Sequence, residues 1–122
     1  MVKILIVDDD LPTCDFLKRF LEQNGYQVFT ANDGQVALSI TKEKDPNIVL
    51  LDIAMPGLSG IKTLKLIKEI NENIKVIMIT AIDDESIIKL AAECGAIDYI
   101  VKPFSLEHLE TNVLPKIIKQ LI

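Results

Sequence analysis

Basic residues are scarce in this chain. Thirteen Lys and Arg stand against eighteen Asp and Glu, for a net charge of -5, and the pI is near 4.8. That shortage argues against nucleic-acid binding, because phosphate contacts need clustered Lys and Arg. It suits solubility and a basic or metal-bridged partner. Long apolar runs are missing as well. Nothing approaches the ~18 apolar residues that a membrane span needs. The opening "MVKILIV" has one Lys and too short an apolar run before the acids to act as a signal peptide. The expectation is a soluble, cytoplasmic protein. Cysteine is limited to Cys14 and Cys94, without CxxC spacing, which predicts small buried or half-buried thiols in a reducing cytosol. The single histidine, His108, falls in the last helical pattern and reads as a surface side chain. There is no linker, repeat or low-complexity segment. The chain therefore reads as one domain over residues 1–122.

Apolar material is plentiful, at 49% of residues, which is enough for a real core. It falls into short runs separated by amphipathic segments. The runs are Lys3–Val7, Gln27–Thr30, Ile48–Leu51, Lys75–Thr80 and Ile97–Val101. They are rich in Ile and Val and mostly continuous, as strands buried on both faces are. Gln27–Thr30 is shorter and more polar, as an edge strand would be. Five helical stripes lie between and after them. The first is Phe16, Leu17, Phe20 and Leu21, stopped at Asn24-Gly25. The last is Leu106, Leu109, Val113, Ile117 and Leu121. Pro115 lies inside that last pattern, deletes a hydrogen bond to the Thr111 carbonyl, and predicts a kink or an end there. Five strand-then-helix repeats imply an α/β fold: a five-stranded parallel sheet with helices on both faces. Right-handed crossovers favour the strand order 2-1-3-4-5, the flavodoxin-like (βα)5 arrangement, with ligands at the carboxyl ends of strands one and three.

The residues at those carboxyl ends carry chemistry. Strand one ends in Asp8, Asp9 and Asp10, strand three in Asp52, strand four in Thr80-Ala81, and strand five leads to Lys102-Pro103. The topology brings these chain-distant groups to one crevice. Carboxylate oxygens suit a hard cation such as Mg²⁺, which keeps waters and leaves room for phosphate oxygens. Carboxylates beside a lysine suit phosphoryl transfer, and an aspartate can itself be the nucleophile. Asp52 is the better nucleophile. It stands alone at the end of a central strand, ahead of the turn-rich loop "IAMPGLSG" with Pro56, Gly57 and Gly60. Asp10, next to Leu11-Pro12, reads instead as the N-cap of the first helix.

These motifs resemble those of a known family. "ILIVDDD", "VLLDIAMPGLSG", "VIMITA" and "GAIDYIVKPF" stand in the order and spacing of the receiver domains of two-component response regulators, over essentially the whole chain. The resemblance implies that Asp52 is the phospho-acceptor. It implies that Asp9 binds Mg²⁺ directly (Mn²⁺ being a possible substitute), Asp8 mainly through water, and the backbone carbonyl of Ala54 directly. It implies that Lys102 pairs with the phosphoryl group, that Thr80 is the switch hydroxyl, that Tyr99 follows Thr80, and that Ala81 leaves room beside the phosphate. Lys102-Pro103 matches a cis peptide. The implied donor is a phosphohistidine of a sensor histidine kinase or histidine phosphotransfer protein. The implied readout is a downstream effector or an output domain, reached through the face of the fourth helix, fifth strand and fifth helix. Such a domain catalyses its own phosphorylation and dephosphorylation; it is not a metabolic enzyme. No DNA-binding segment is present, so a single-domain regulator or an excised receiver is expected.

Two positions that tune dephosphorylation in such domains are Ala54 and Ile82 here, and neither offers a polar atom to orient water. A long-lived phosphate is expected. Two other classes compete. "DDDLPT" partly resembles the DxDx(T/V) motif of haloacid-dehalogenase-like phosphatases, with Asp8 as nucleophile and Asp10 as acid/base. However, Pro12 occupies the Thr/Val place, and that reading leaves "DIAMPG" and "KPF" without a role. A flavin-binding redox protein is disfavoured because three acids would repel the flavin phosphate.

Overall fold

In the computed structural model residues 1–54 and 59–121 are described. The turns expected at Pro56 and Gly57 lie outside the described residues. Strands β1 (Lys3–Val7), β2 (Gln27–Ala31), β3 (Ile48–Leu51), β4 (Lys75–Thr80) and β5 (Asp98–Val101) form one sheet in the order β2-β1-β3-β4-β5. Every pairing is parallel. This is the expected order. Two boundaries differ by a residue: β2 runs on to Ala31, and β5 starts at Asp98, leaving Ile97 outside it.

Successive strand residues point to opposite faces, so each central strand feeds two cores. On one face Ile4, Leu50 and Ile77 pack with Leu17 and Leu21 of α1 (Leu11–Gln23). On the other, Leu5, Val49 and Met78 pack with Ala37 of α2 (Gly34–Lys44), Leu64 of α3 (Gly60–Ile70) and Ala91 of α4 (Glu85–Glu93). All four residues of β3 are buried, which explains its continuous run of Ile, Val and Leu. Edge strand β2 is only partly buried, with Gln27 and Thr30 exposed. Not every residue of the expected stripes is inside. Phe16 sits one step round its helix from buried Leu17 and is 41% exposed, and Leu106, in the first turn of its helix, is 50% exposed.

Helix ends follow their local chemistry. The Asp10 carboxylate accepts from the Thr13 N–H at the start of α1, and Pro12 occupies the first turn, where its missing donor costs nothing. Gly25 (φ 90°) and Gly95 (φ 107°) close α1 and α4 in left-handed backbone. At the C-terminal end Pro115 neither ends nor breaks the helix. A short α5 (Leu106–His108) runs into a π-helical turn, Leu109–Val113, and on into α6 (Leu114–Leu121). The Leu114 N–H donates to the Leu109 carbonyl five residues back. This wider turn sits directly ahead of the proline and absorbs its missing donor. Leu109, Val113 and Ile117 stay fully buried, so core packing holds the helix together through the irregularity. Among the described residues no helix is long and apolar enough to cross a membrane.

Candidate functional site

Register sets the site. Val7 pairs with Leu51, so the next residues, Asp8 and Asp52, leave the sheet side by side. The Asp52 N–H donates to the Val7 carbonyl at 2.9 Å, and the Asp8 N–H to the Ala31 carbonyl at 3.0 Å. The β4–β5 ladder likewise extends one step, the Lys102 N–H donating to the Thr80 carbonyl at 2.8 Å. Asp8, Asp52 and Thr80 are buried, whereas Asp9 is exposed. One carboxylate oxygen from each of Asp8, Asp9 and Asp52 lies within 4.8 Å of the others. The peptide between Lys102 and Pro103 is cis, as the resemblance implied.

The Lys102 ammonium bridges the acids. Its Nζ donates to Asp8 Oδ2 and, at 3.1 Å, to Asp52 Oδ2. The other Asp8 oxygen accepts from the Asp10 N–H at 3.0 Å, and Asp52 Oδ1 accepts from the Ala54 N–H at 3.1 Å. Burial pushes the Asp8 carboxyl above the ordinary carboxylate range, only partly offset by its bond to Lys102. Burial also pulls on Lys102, toward the neutral amine. Its bonds to Asp8 and Asp52 outweigh that pull and hold it above the usual lysine value. The pocket therefore already favours a cation over a neutral group.

The donor set is suited to a hard cation. It is all oxygen, two of its three acids are buried, and an ammonium already occupies the space between two of them. Asp10 stands apart from this set. Its carboxylate accepts from both the N–H and the hydroxyl of Thr13 in α1. The acid/base role that a dehalogenase-like reading requires of Asp10 is thus unsupported.

Thr80 and Tyr99 meet through Ile82. The Ile82 N–H donates to Thr80 Oγ1 at 3.4 Å, and the Tyr99 hydroxyl donates to the Ile82 carbonyl at 2.6 Å. Tyr99 is half-buried, and that burial, with Asp83, Asp52 and Asp84 nearby, raises its phenol above the ordinary value. Ala81 is exposed.

Residues 4–114 match the family model of the response regulator receiver domain. The chain is a response regulator receiver domain. Among curated relatives it is similar to sporulation initiation phosphotransferase F of Bacillus subtilis strain 168, at 40% identity over 111 residues, 91% of this chain and 90% of that protein. Among solved structures it is similar to a CheY-like receiver from Methanospirillum hungatei, at 30% identity and a TM-score of 0.90, covering 99% of this chain and 97% of that one. It also matches a chain of the CheX–CheY–BeF3–Mg²⁺ complex from Borrelia burgdorferi, at 34% identity and a TM-score of 0.89, covering 99% of this chain and 90% of that one. Receiver domains belong to two-component and phosphorelay signalling, accept a phosphoryl group on an aspartate, and bind Mg²⁺.

Two contacts of the receiver site escaped the sequence reading. The buried Cys14 thiol donates to the Asp8 carbonyl at 3.2 Å, and burial pushes it up to about 11, so it behaves as a packed polar contact. Gly60, expected in a turn, is instead the first residue of α3 and lies against the backbone of Asp52 and Ile53. The sequence signal was only a Ser-Gly pair ahead of a helical stripe; it marks a helix start but not what that start touches.

Proposed function

We propose that this receiver takes a phosphoryl group onto Asp52 from a phosphohistidine of a sensor kinase or phosphotransfer protein and passes the change to an effector or output domain. One observation carries the reading: Asp52 is a buried carboxylate at the mouth of the sheet, gathered with Asp8, Asp9 and Lys102. A carboxylate buried among other acids is costly unless it serves a reaction or a cation.

An Asp52 oxygen attacks phosphorus in line with the leaving imidazole. The new P–O bond forms as the P–N bond breaks, and the imidazole nitrogen keeps the electron pair and takes a proton from solvent. The Ala54 N–H on Asp52 Oδ1 fixes the direction of the carboxylate. Lys102 leaves Asp52 for the incoming phosphoryl oxygens and stabilises their charge. Asp8, Asp9, Asp52 and the Ala54 carbonyl are the groups that would hold Mg²⁺, with Mn²⁺ as substitute. When bound, the ion neutralises charge on phosphoryl oxygens. Thr80 then turns its hydroxyl from the Ile82 N–H to the phosphoryl group, and Tyr99 and the α4–β5 face respond. The one histidine of these 122 residues, His108, lies in α5, so the donor histidine lies outside them. The setting is cytoplasmic, where sensor kinases present their phosphohistidine.

Labelling with radioactive acetyl phosphate and Mg²⁺ tests the assignment. The parent chain takes up phosphate, and Asp52→Asn takes up none. Undiminished labelling of Asp52→Asn would move the acceptor elsewhere and revive Asp8.

A further inference from the structure

We propose that Gly60 is a positioning residue for phosphoryl transfer, its missing side chain letting the first turn of α3 seat directly on the backbone that carries Asp52. The proposal rests on Asp52 being the acceptor. Gly60 is buried, and its N–H donates to the Ile53 carbonyl at 3.1 Å. A Cβ at this position would overlap the Asp52 carbonyl oxygen and the Ile53 Cα. Both are backbone atoms, and neither can rotate aside. The requirement is for space; Gly60 does not have the left-handed backbone of Gly25 or Gly95.

Neither side of this contact is free to retreat. The Asp52 N–H is tied to the sheet through Val7 at 2.9 Å. The start of α3 is tied down by the Lys62 N–H on Ser59 Oγ at 3.3 Å and by the Thr63 hydroxyl on the Ser59 carbonyl at 2.8 Å. Thr63, Leu64 and Ile67 anchor the same helix in the core. A methyl group at residue 60 must therefore displace the segment from Asp52 to Ala54. That segment sets both the Asp52 carboxylate, through the Ala54 N–H, and the Ala54 carbonyl. Misplacing a reacting group by about 1 Å costs on the order of 10²-fold in rate.

The test compares Gly60→Ala with Gly95→Ala. Gly95 has φ 107°, and its Cβ would come within 3.2 Å of Lys68 Cε, so alanine strains the fold there too. It lies in the α4–β5 turn, where the Ile97 N–H meets the Val76 carbonyl, at the strand starts and away from the site. Each variant is phosphorylated with acetyl phosphate at saturating Mg²⁺, and its urea midpoint is measured. Gly60→Ala is expected to lower the maximal rate by at least about tenfold, with the half-saturating acetyl phosphate little changed. Gly95→Ala is expected to lower the urea midpoint and keep the rate. Parental kinetics in a folded Gly60→Ala overturn the proposal, as does an equal rate loss in Gly95→Ala. If Gly60→Ala stays unfolded even in trimethylamine N-oxide, where Gly95→Ala folds, Gly60 serves folding alone and the proposal falls. An unlabelled parent, or a labelled Asp52→Asn, would instead remove the acceptor assignment beneath it.

Discussion

At the scale of single residues, the expectation of a long-lived phosphate rests on two side chains. Ala54 is exposed and Ile82 half-buried, and neither has a polar side-chain atom to hold an attacking water. The Tyr99 hydroxyl further ties down the Ile82 backbone at 2.6 Å. On the proposed acceptor Asp52, these two side chains would leave the attacking water unheld, which is why a long-lived phosphate is expected. Replacing them together, Ala54→Asn with Ile82→Glu, is expected to shorten the lifetime by on the order of 10²-fold, the low end of what a positioned acid or base contributes. Phosphate release from the isolated phosphoprotein measures this. Equal lifetimes in parent and double variant would remove the reading. That Asp8, Asp9, Asp52 and Lys102 come together was legible in the sequence, because topology alone brings strand ends together. The Cys14 thiol on the Asp8 carbonyl was not, since it depends on how closely α1 passes β1.

At the scale of elements, apolar runs located all five strands, and the run is free of polar residues only in β3, which is buried throughout. The errors fell at the sheet's edges. There the expected run stopped one residue short at Ala31 of β2 and began one residue early at Ile97 before β5. The last helix was the harder case. Proline predicts a local break, but Val113 and Ile117 are fully buried on either side of it. Burying each such side chain contributes about 1.5–3 kcal/mol, on the scale of the ~3 kcal/mol that an interior proline costs. Packing therefore wins, and the chain answers with a π-turn. The first helix gives a test of its start signal. Asp10→Ala removes the cap on Thr13 and is expected to cost about 1 kcal/mol of stability in urea unfolding. Its Mg²⁺ affinity should stay close to parental, because Asp10 lies outside the carboxylate cluster. A large loss of metal binding would put Asp10 back among the ligands.

At the scale of the whole molecule, one acid of the site, Asp8, works against the stability of the fold. Asp8 titrates above its ordinary value of 3.8, so the metal-free native state holds that proton more tightly than the unfolded chain. Its contribution is fully present below pH 3.8 and is lost as pH rises through the raised native value. Lys102 is also raised, from 10.5, so its stabilisation is complete below pH 10.5 and lost above it. In EDTA, Asp8→Asn is expected to have a higher urea midpoint than the parent at neutral pH, a gap that narrows as pH falls toward 3.8. Adding Mg²⁺ should stabilise the parent more than Asp8→Asn. A parent that outlasts Asp8→Asn in EDTA at neutral pH would contradict this. The bridge from Lys102 to both Asp8 and Asp52 has a last consequence, for the energetics of signalling. Most of the lysine's dehydration was completed when the chain folded, its side chain being 18% exposed. On the proposed transfer to Asp52, Lys102 would exchange one anion for another and keep a counter-charge. The incoming group would meet a cation already largely stripped of its water, so the exchange would repeat little of that dehydration.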